Sequence, residues 1–275
     1  MGCASSKQEK AAEAAPAAAA PPQMAAEPAK PAEAAADGPS TFYVVDHTFK
    51  PDCKAEDWWT AMTPFLSDPE KLKGMFSGNS GNGFYNHAFI PMAQDHICCI
   101  WECKAGVKEA DLQTLLDDSV GQKMMVNKLM VISPELTGGQ MPFAAAYAKD
   151  SKLSMELNAT YASSASQWYI VKHDMKEGKA DEWWADTAKM MADQEAYAKF
   201  TQDGLDKGFA NHSFMPVSKD LAYCVWECKE AGMEDGLQAH LDEQVGRGCF
   251  VNTVIATPGE LSGNQRAYAP KFNTE

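Results

Sequence analysis

The stretch Asn86-His87-Ala88-Phe89-Ile90-Pro91 recurs as Asn211-His212-Ser213-Phe214-Met215-Pro216, and the two copies lie 212 − 87 = 125 residues apart. Two further pairs of motifs keep this offset: Trp58-Trp59 with Trp183-Trp184, and Cys99-Ile100-Trp101-Glu102-Cys103-Lys104 with Cys224-Val225-Trp226-Glu227-Cys228-Lys229. An internal repeat of this length predicts two similar domains that stack or pair. The chain is therefore expected to be a duplicated domain.

Each copy predicts the same order of strands and helices. A β-rich run is followed by a helix at the tryptophan pair, a hairpin formed by the two longer motifs, a second helix and a last strand. This βαββαβ order is the ferredoxin-like pattern. We therefore divide the chain into four segments: a tail at residues 1–40, a first repeat at 41–148, a linker at 149–166 and a second repeat at 167–275.

The long helix is expected to differ between the two copies. In the first copy we predict that Pro64 breaks it and that a new helix starts at Ser67-Asp68-Pro69-Glu70, which has the spacing of a capping box. In the second copy we predict one unbroken helix that runs towards Lys207. Gly121 and Gly246 are expected to stop the later helix of each copy.

The two faces of one strand predict how the copies pack. One face, expected to pack on the helices, carries Ile97, Cys99, Trp101 and Cys103. The other face carries Cys98, Ile100 and Glu102 and is also mainly apolar, so it requires a cover. The simplest cover is the other copy, with the two sheets facing each other about an internal pseudo-two-fold axis.

With this arrangement the chain resembles a fused pair of dimeric α+β barrel domains over residues 42–270. That ferredoxin-like superfamily includes small cofactor-free monooxygenases, cyclases and metal-binding proteins. The resemblance is one of pattern, because the chain has no catalytic signature of a single member family. It implies an α+β fold in which two βαββαβ repeats form a pseudo-dimeric α+β barrel after a disordered Ala/Pro-rich tail.

The N-terminus, Met1-Gly2-Cys3-Ala4-Ser5-Ser6, fits the pattern for myristoylation of Gly2. One myristoyl chain binds a bilayer only marginally, and palmitoylation of Cys3 would supply the second signal. Such a start resembles those of dually acylated proteins on the inner plasma membrane or on ciliary membranes. We therefore expect the cytoplasmic face of one of these membranes as the location, with acyl chains as the contact. The alternative is an unmodified, disordered start.

Composition limits the partners and the roles of the cysteines. The net charge of −14, without any basic run, opposes binding to nucleic acid. No apolar run approaches the roughly 20 residues that cross a bilayer. Cys99 and Cys103, like Cys224 and Cys228, are four residues apart on a predicted strand, or about 13 Å, and cannot form a disulfide with each other. We interpret these cysteines as small apolar core residues.

Both copies place histidines and an acid on neighbouring predicted strands. Because the third strand lies between the first and second in ferredoxin-like topology, these side chains can converge. Two histidines and a carboxylate suit a divalent transition metal, which gives two candidate ligand sets: His47, His87 and Glu102, and His173, His212 and Glu227. No other cofactor is predicted. The candidate catalytic acids and bases are His87, His212, Glu102 and Glu227, and the candidate ligand-binding tryptophans are Trp101 and Trp226.

Structural roles compete with these assignments. His87 and His212 can satisfy buried backbone carbonyls. Glu102 and Glu227 can pair with Lys104 and Lys229 at the rim of the barrel. The paired tryptophans that open the first helix of each copy have the spacing of core residues.

Three functional hypotheses follow. The leading one is a lipid-anchored, membrane-associated binding or scaffold protein whose tandem domains bind a small ligand, a metal or a protein partner without catalysis. The alternative is a cofactor-independent enzyme of the monooxygenase, cyclase or isomerase type, which acts on a small apolar or phenolic compound. The third is a metal-binding regulator that uses the histidines.

Overall fold

The structure is a computed structural model that describes residues 38–137 and 167–258. Each of these ranges folds in the predicted βαββαβ order. Gly2 and Cys3, the predicted acylation sites, and the predicted linker lie outside the described residues. Among the described helices, none has the length and apolar composition needed to cross a membrane.

In its described part, up to residue 137, the first repeat contains four strands, three α-helices and one π-helical turn. In chain order they are β1 (Thr41–Phe49), α1 (Ala55–Leu66), α2 (Pro69–Gly81), β2 (Phe84–Ala93), β3 (His96–Cys103), α3 (Glu109–Thr114), the first π-helical turn (Leu115–Val120) and β4 (Met125–Val131).

The second repeat has the same elements. They are β5 (Gln167–Met175), α4 (Ala180–Ala192), α5 (Gln194–Asp206), β6 (Phe209–Pro216), β7 (Leu221–Cys228), α6 (Glu234–His240), the second π-helical turn (Leu241–Val245) and β8 (Phe250–Ala256). Gly121 and Gly246 follow the two π-helical turns, as predicted. A Cβ at Gly121 would lie 2.7 Å from the carbonyl oxygen of Leu116, so this close approach requires glycine.

The eight strands of the described ranges form two antiparallel four-stranded sheets. Their orders are β2-β3-β1-β4 and β6-β7-β5-β8. The third strand of each repeat therefore lies between the first and second, as the ferredoxin-like prediction requires. The tandem α+β barrel fold is confirmed.

Each sheet packs one face against the other sheet and its opposite face against the helices of its own repeat. Trp101 and Cys103 of β3 pack in the core beneath the helices. Ile100 packs with Ile170 and Val225 of the other repeat in a separate core between the sheets. The prediction that each copy covers the second face of the other is therefore confirmed. Past the end of β4, the amide of Ser133 donates a 2.8 Å hydrogen bond to the carbonyl of Pro216, which joins the edges of the two sheets.

The prediction of an unbroken long helix in the second repeat is wrong. Asp193 separates α4 from α5 with an extended backbone (φ −94°, ψ 97°), and its side chain accepts a 3.0 Å hydrogen bond from the amide of Ala196. Asp193 lies 193 − 68 = 125 residues after Asp68, which caps α2 in the same way. In the first repeat, Pro64 lies inside α1, and the break comes at Asp68 instead.

The cysteines of the central strands are core residues, as predicted. Cys99, Cys103, Cys224 and Cys228 are free thiols with at most 1% of their surface exposed. Burial raises the pKa of Cys99 and Cys224 to about 12. Such thiols stay protonated at neutral pH and are poor nucleophiles.

Candidate functional site

A β-bulge positions one histidine in each repeat. In β2 the pairing with β3 passes from Asn86 to Ala88 and skips His87. In β6 the pairing with β7 skips His212 in the same way. A bulge leaves the extra residue out of the ladder and redirects its side chain.

Each bulge histidine contacts a buried glutamate on the next strand. Nε2 of His87 lies 2.8 Å from Oε2 of Glu102, and Nε2 of His212 lies 2.9 Å from Oε2 of Glu227. Both glutamates have 0% exposed surface. Their predicted position at the rim of the barrel is therefore wrong, because each is enclosed between the sheets and bonded to a histidine.

An aromatic ring from the first strand of each repeat, β1 or β5, stacks on the bulge histidine. The ring centroids of Trp168 and His212 are 4.3 Å apart at an interplanar angle of 28°, and Phe42 stacks on His87 at 5.4 Å. In the first repeat, Tyr85 also packs its ring against the edge of His87, at 4.7 Å. Its counterpart in the second repeat, 125 residues on, is Ala210. The two His–Glu pairs therefore have similar geometry but different surroundings.

The structure places His47 and His173 away from these pairs. Nδ1 of His47 lies 2.6 Å from the side-chain oxygen of Asn127, whose amide donates a 2.6 Å hydrogen bond to Asp117. His173 bonds Asn252 in the same way. Burial lowers the pKa of both histidines to about 4.

The predicted metal-ligand sets are therefore split between two faces of the sheet. His47 follows Tyr43 and Val45 on the face towards the helices, while Glu102 lies on the face towards the other sheet. In residues 38–137 and 167–258, no group of three or more His, Cys, Asp or Glu residues could hold a metal ion. The expectations of no cofactor, or of a bound transition metal, stay predictions.

A cavity of about 310 Å³ lies in the second repeat, between α4 and α5 on one side and β6 and β7 on the other. His212 lines it, as does Trp226, one of the two predicted ligand-binding tryptophans. Trp101, the other, is buried in the core of the first repeat. Tyr197 also lines the cavity and is 47% exposed, so the cavity reaches the surface beside α5.

The two copies differ at several positions that line the cavity. At some of them a smaller residue replaces a larger one 125 residues earlier, and examples are Thr187 for Met62, Gly204 for Asn79, and Ala210 for Tyr85. Met62 is buried in the first core with 4% of its surface exposed. Comparison of the shared residues missed this site, whose sequence signal lies in the positions that differ.

Two polar side chains that differ from their counterparts in the first repeat, Leu115 and Gln122, also line the cavity. Nη2 of Arg247 donates hydrogen bonds to Oγ1 of Thr187 at 3.1 Å and to the carbonyl of Trp183 at 3.4 Å. His240 is 6% exposed, and its Nδ1 has no hydrogen-bond partner in the described structure. Burial, and secondarily the charge of Lys207, lower the pKa of His240.

Solved structures of similar architecture share little sequence with the chain. A chlorite dismutase mutant from Candidatus Nitrospira defluvii is 14% identical, with a TM-score of 0.43, over 82% of this chain and 95% of that one. A candidate monooxygenase from Lactobacillus acidophilus is 11% identical, with a TM-score of 0.41, over 83% of this chain and 94% of that one. A candidate chlorite dismutase is 14% identical, with a TM-score of 0.42, over 82% of this chain and 98% of that one.

The leading hypothesis of a lipid-anchored binding or scaffold protein is contradicted. The reason lies in the chain itself, since a histidine held by a buried carboxylate beside a cavity is an arrangement suited to acid–base chemistry. This arrangement fits the alternative, an enzyme of the α+β barrel type, better than a binding module without catalysis.

The repeat is also recognised as a family. No curated protein matches the chain in sequence. A family model described as a domain of unknown function, DUF8652, matches residues 42–140 and again residues 168–265. These two matches cover well over half of the 275 residues. The chain therefore belongs to the DUF8652 family and carries two copies of its domain.

Proposed function

We propose that the second repeat is an enzyme active site that removes a proton from a small, largely apolar molecule bound in the cavity. His212 acts as the general base, and Glu227 is the positioning residue that orients it. One observation carries this proposal: His212 lines the cavity and is bonded to a carboxylate that has no exposed surface.

The geometry of the pair determines which nitrogen reacts. When Nε2–H of His212 donates to Glu227, the neutral ring has its lone pair on Nδ1. A C–H or O–H bond of the substrate breaks, its proton passes to Nδ1, and the electron pair stays on the substrate as an enolate or phenolate. The carboxylate stabilises the imidazolium that forms, as in other base–orienter pairs. Return of the proton to another atom would complete an isomerisation.

The surroundings favour this step in the second repeat over the first. Trp168 stacks on the imidazole of His212 and limits its rotation, while Ala210 leaves space on the cavity side. In the first repeat the Tyr85 ring occupies the corresponding place against His87. We assign the first His–Glu pair a structural role, which makes His87 a matched control.

Deuterium exchange tests the proposal without knowledge of the natural substrate. The probe is 2-tetralone, an apolar two-ring ketone with exchangeable C–H bonds beside its carbonyl. We expect the full chain in D₂O to accelerate this exchange, followed by proton NMR, and His212→Gln to slow it by about 100-fold or more, the usual contribution of a general base. Wild-type protein that leaves the exchange rate unchanged, or a His212→Gln variant as active as the wild type, would overturn the proposal.

A further inference from the structure

We infer that the cavity selects small organic acids, whose anionic group is bound by Arg247 and His240 and whose apolar body packs against the aromatic wall. This inference rests on the proposed function, because it names the substrate class of the same site. The aromatic wall is formed by Phe209 and Trp226, which both line the cavity.

The charge of the lining favours an anion. Among the described residues that line the cavity, Arg247 is the one with a permanent charge, and none is acidic. A lining without acidic residues is unusual in a chain with a net charge of −14. A carboxylate that reaches the cavity therefore meets a cation without a competing acidic residue in the lining.

The hydrogen bonds of Arg247 hold its guanidinium at the wall of the cavity. Both of its described hydrogen bonds, to Thr187 and to Trp183, use Nη2. The Nε–H and Nη1–H groups are not used by these two bonds, and each can donate a hydrogen bond to a carboxylate. Thr187 and Arg247 both differ from their counterparts Met62 and Gln122, so the second repeat alone has this pair.

His240 supplies an independent observation. Its Nδ1 is buried without a hydrogen-bond partner in the described structure, a state that costs about 1–3 kcal/mol unless a ligand supplies the bond. The counterpart in the first repeat is Leu115, so an apolar residue is compatible with this position of the fold. A neutral imidazole can donate or accept, and hence can bind either a protonated or an ionised acid group.

The walls and the volume define the rest of the ligand. The ring centroid of His240 lies 5.3 Å from that of Phe209 and 5.8 Å from that of Trp226, so the polar group sits directly beside aromatic surface. About 310 Å³ is near the lower end of the roughly 300–1,000 Å³ range of ligand pockets. The site therefore fits a one- or two-ring acid better than a long chain.

Calorimetry with two matched probes tests the inference. The probes are 2-naphthoate and its amide, 2-naphthamide, which have the same rings and nearly the same shape but differ in charge. We expect the full chain to bind 2-naphthoate about tenfold or more tightly than the amide, as for one charged hydrogen-bonded pair. Arg247→Gln, which introduces the residue of the first repeat, should remove this preference.

Two controls separate a specific site from general electrostatics and from misfolding. Lys199→Gln removes an exposed cation of α5 that lies outside the cavity lining and should keep the wild-type preference. The wild-type ratio of the two affinities needs no variant, so it decides the inference even where a substitution impairs folding.

The outcomes also distinguish this inference from the proposed function. Equal binding of the two probes, or no binding of either, would overturn the assignment of an organic acid. The exchange of 2-tetralone, which is uncharged, would in either case still report on His212. A protein that prefers 2-naphthoate but exchanges no deuterium would keep the acid-binding site and lose the catalytic proposal.

Discussion

His212 and Glu227 form a hydrogen-bonded pair of 2.9 Å in which the carboxylate is completely buried and the imidazole borders a cavity. Burial of a carboxylate is costly unless a partner compensates for the lost water. Here the compensation places a titratable ring at the wall of the cavity. The first repeat has the same pair at 2.8 Å, but a tyrosine packs against its histidine. One arrangement thus has two different surroundings within a single chain.

Glu227→Gln should slow deuterium exchange with little effect on ligand binding. The amide keeps the size of the side chain but cannot stabilise an imidazolium by charge, so we expect a decrease of about tenfold to 100-fold in kcat. Glu102→Gln is the matched control and should leave the exchange rate unchanged. A purely structural role for Glu227 would instead reduce the thermal stability of the variant and leave kcat per folded molecule unaltered.

Ala210→Tyr should close the active site. This substitution gives the second repeat the residue that packs against the histidine of the first, Tyr85, and it fills lining space of the cavity. We expect loss of 2-naphthoate binding and of deuterium exchange, with cooperative thermal unfolding retained. Tyr85→Ala, the reverse change in the first repeat, should leave both measurements as in the wild type. Normal exchange by a folded Ala210→Tyr variant would argue against this cavity as the substrate site.

The stability of the protein should fall as the pH is lowered from neutrality. Burial lowers the pKa of His47 and His173 from 6.5 to about 4, so the folded state keeps them neutral while the unfolded state binds protons. Their contribution is complete above about pH 6.5 and is lost progressively down to about pH 4, at about 2 kcal/mol for each histidine by pH 5. Urea unfolding at about pH 7 and about pH 5 measures the change.

The contribution of His96 to stability changes with pH in the opposite direction. Its hydrogen bond to Asp46 raises its pKa, so its contribution is present at low pH and is lost as the pH rises through the folded value. The pair is partly exposed, and solvent screening makes this contribution the smaller one. His96→Gln should therefore steepen the decline. An unfolding free energy that is equal or higher at about pH 5 would contradict the role of burial at His47 and His173.

Asp193→Ala should destabilise the second repeat by about 1 kcal/mol, the usual cost of a lost helix cap. Asp193 accepts the amide of Ala196 and begins α5, beside the cavity. Asp193→Asn retains a capping oxygen and should restore most of the loss. Urea unfolding of the three proteins measures both effects. If Asp193→Ala were as stable as the wild type, the break between α4 and α5 would depend on packing and not on the cap.

The architecture could be predicted because its signals are periodic and occur twice. The alternation along β3 assigns Trp101 to the helix side and Ile100 to the sheet interface, and the structure places both as expected. The same reasoning along β1 places His47 with Tyr43 and Val45. Alternation along β1 gives the correct face for His47, whereas grouping the histidines by residue type does not.

The sequence does contain a signal for the bulges, which is a break in the alternation of the strand. Phe84 and Phe89 both pack beneath the helices, yet an odd spacing of five residues would place them on opposite faces of a regular strand. One extra residue, His87, restores the phase. Phe209 and Phe214 show the same spacing around His212. The exact partner of each histidine depends on this local geometry and was not accessible from spacing.

The cavity required a different comparison of the two copies. Residues that both copies share, such as the tryptophans, report the common fold. Thr187, Ala210, His240 and Arg247 report what distinguishes the second copy. That these four meet around one space follows from the packing of α4, β6, α6 and the segment after the second π-helical turn, which sequence periodicity leaves undetermined.

The most direct test of the account compares His212→Gln with His87→Gln in the deuterium exchange of 2-tetralone by the full chain. Both substitutions remove a bulge histidine from a buried glutamate, so their structural costs are matched. The account predicts that His212→Gln loses about 100-fold or more of the exchange rate while His87→Gln keeps it. Equal loss in both variants, or full activity in His212→Gln, would contradict the assignment of the active site to the second repeat.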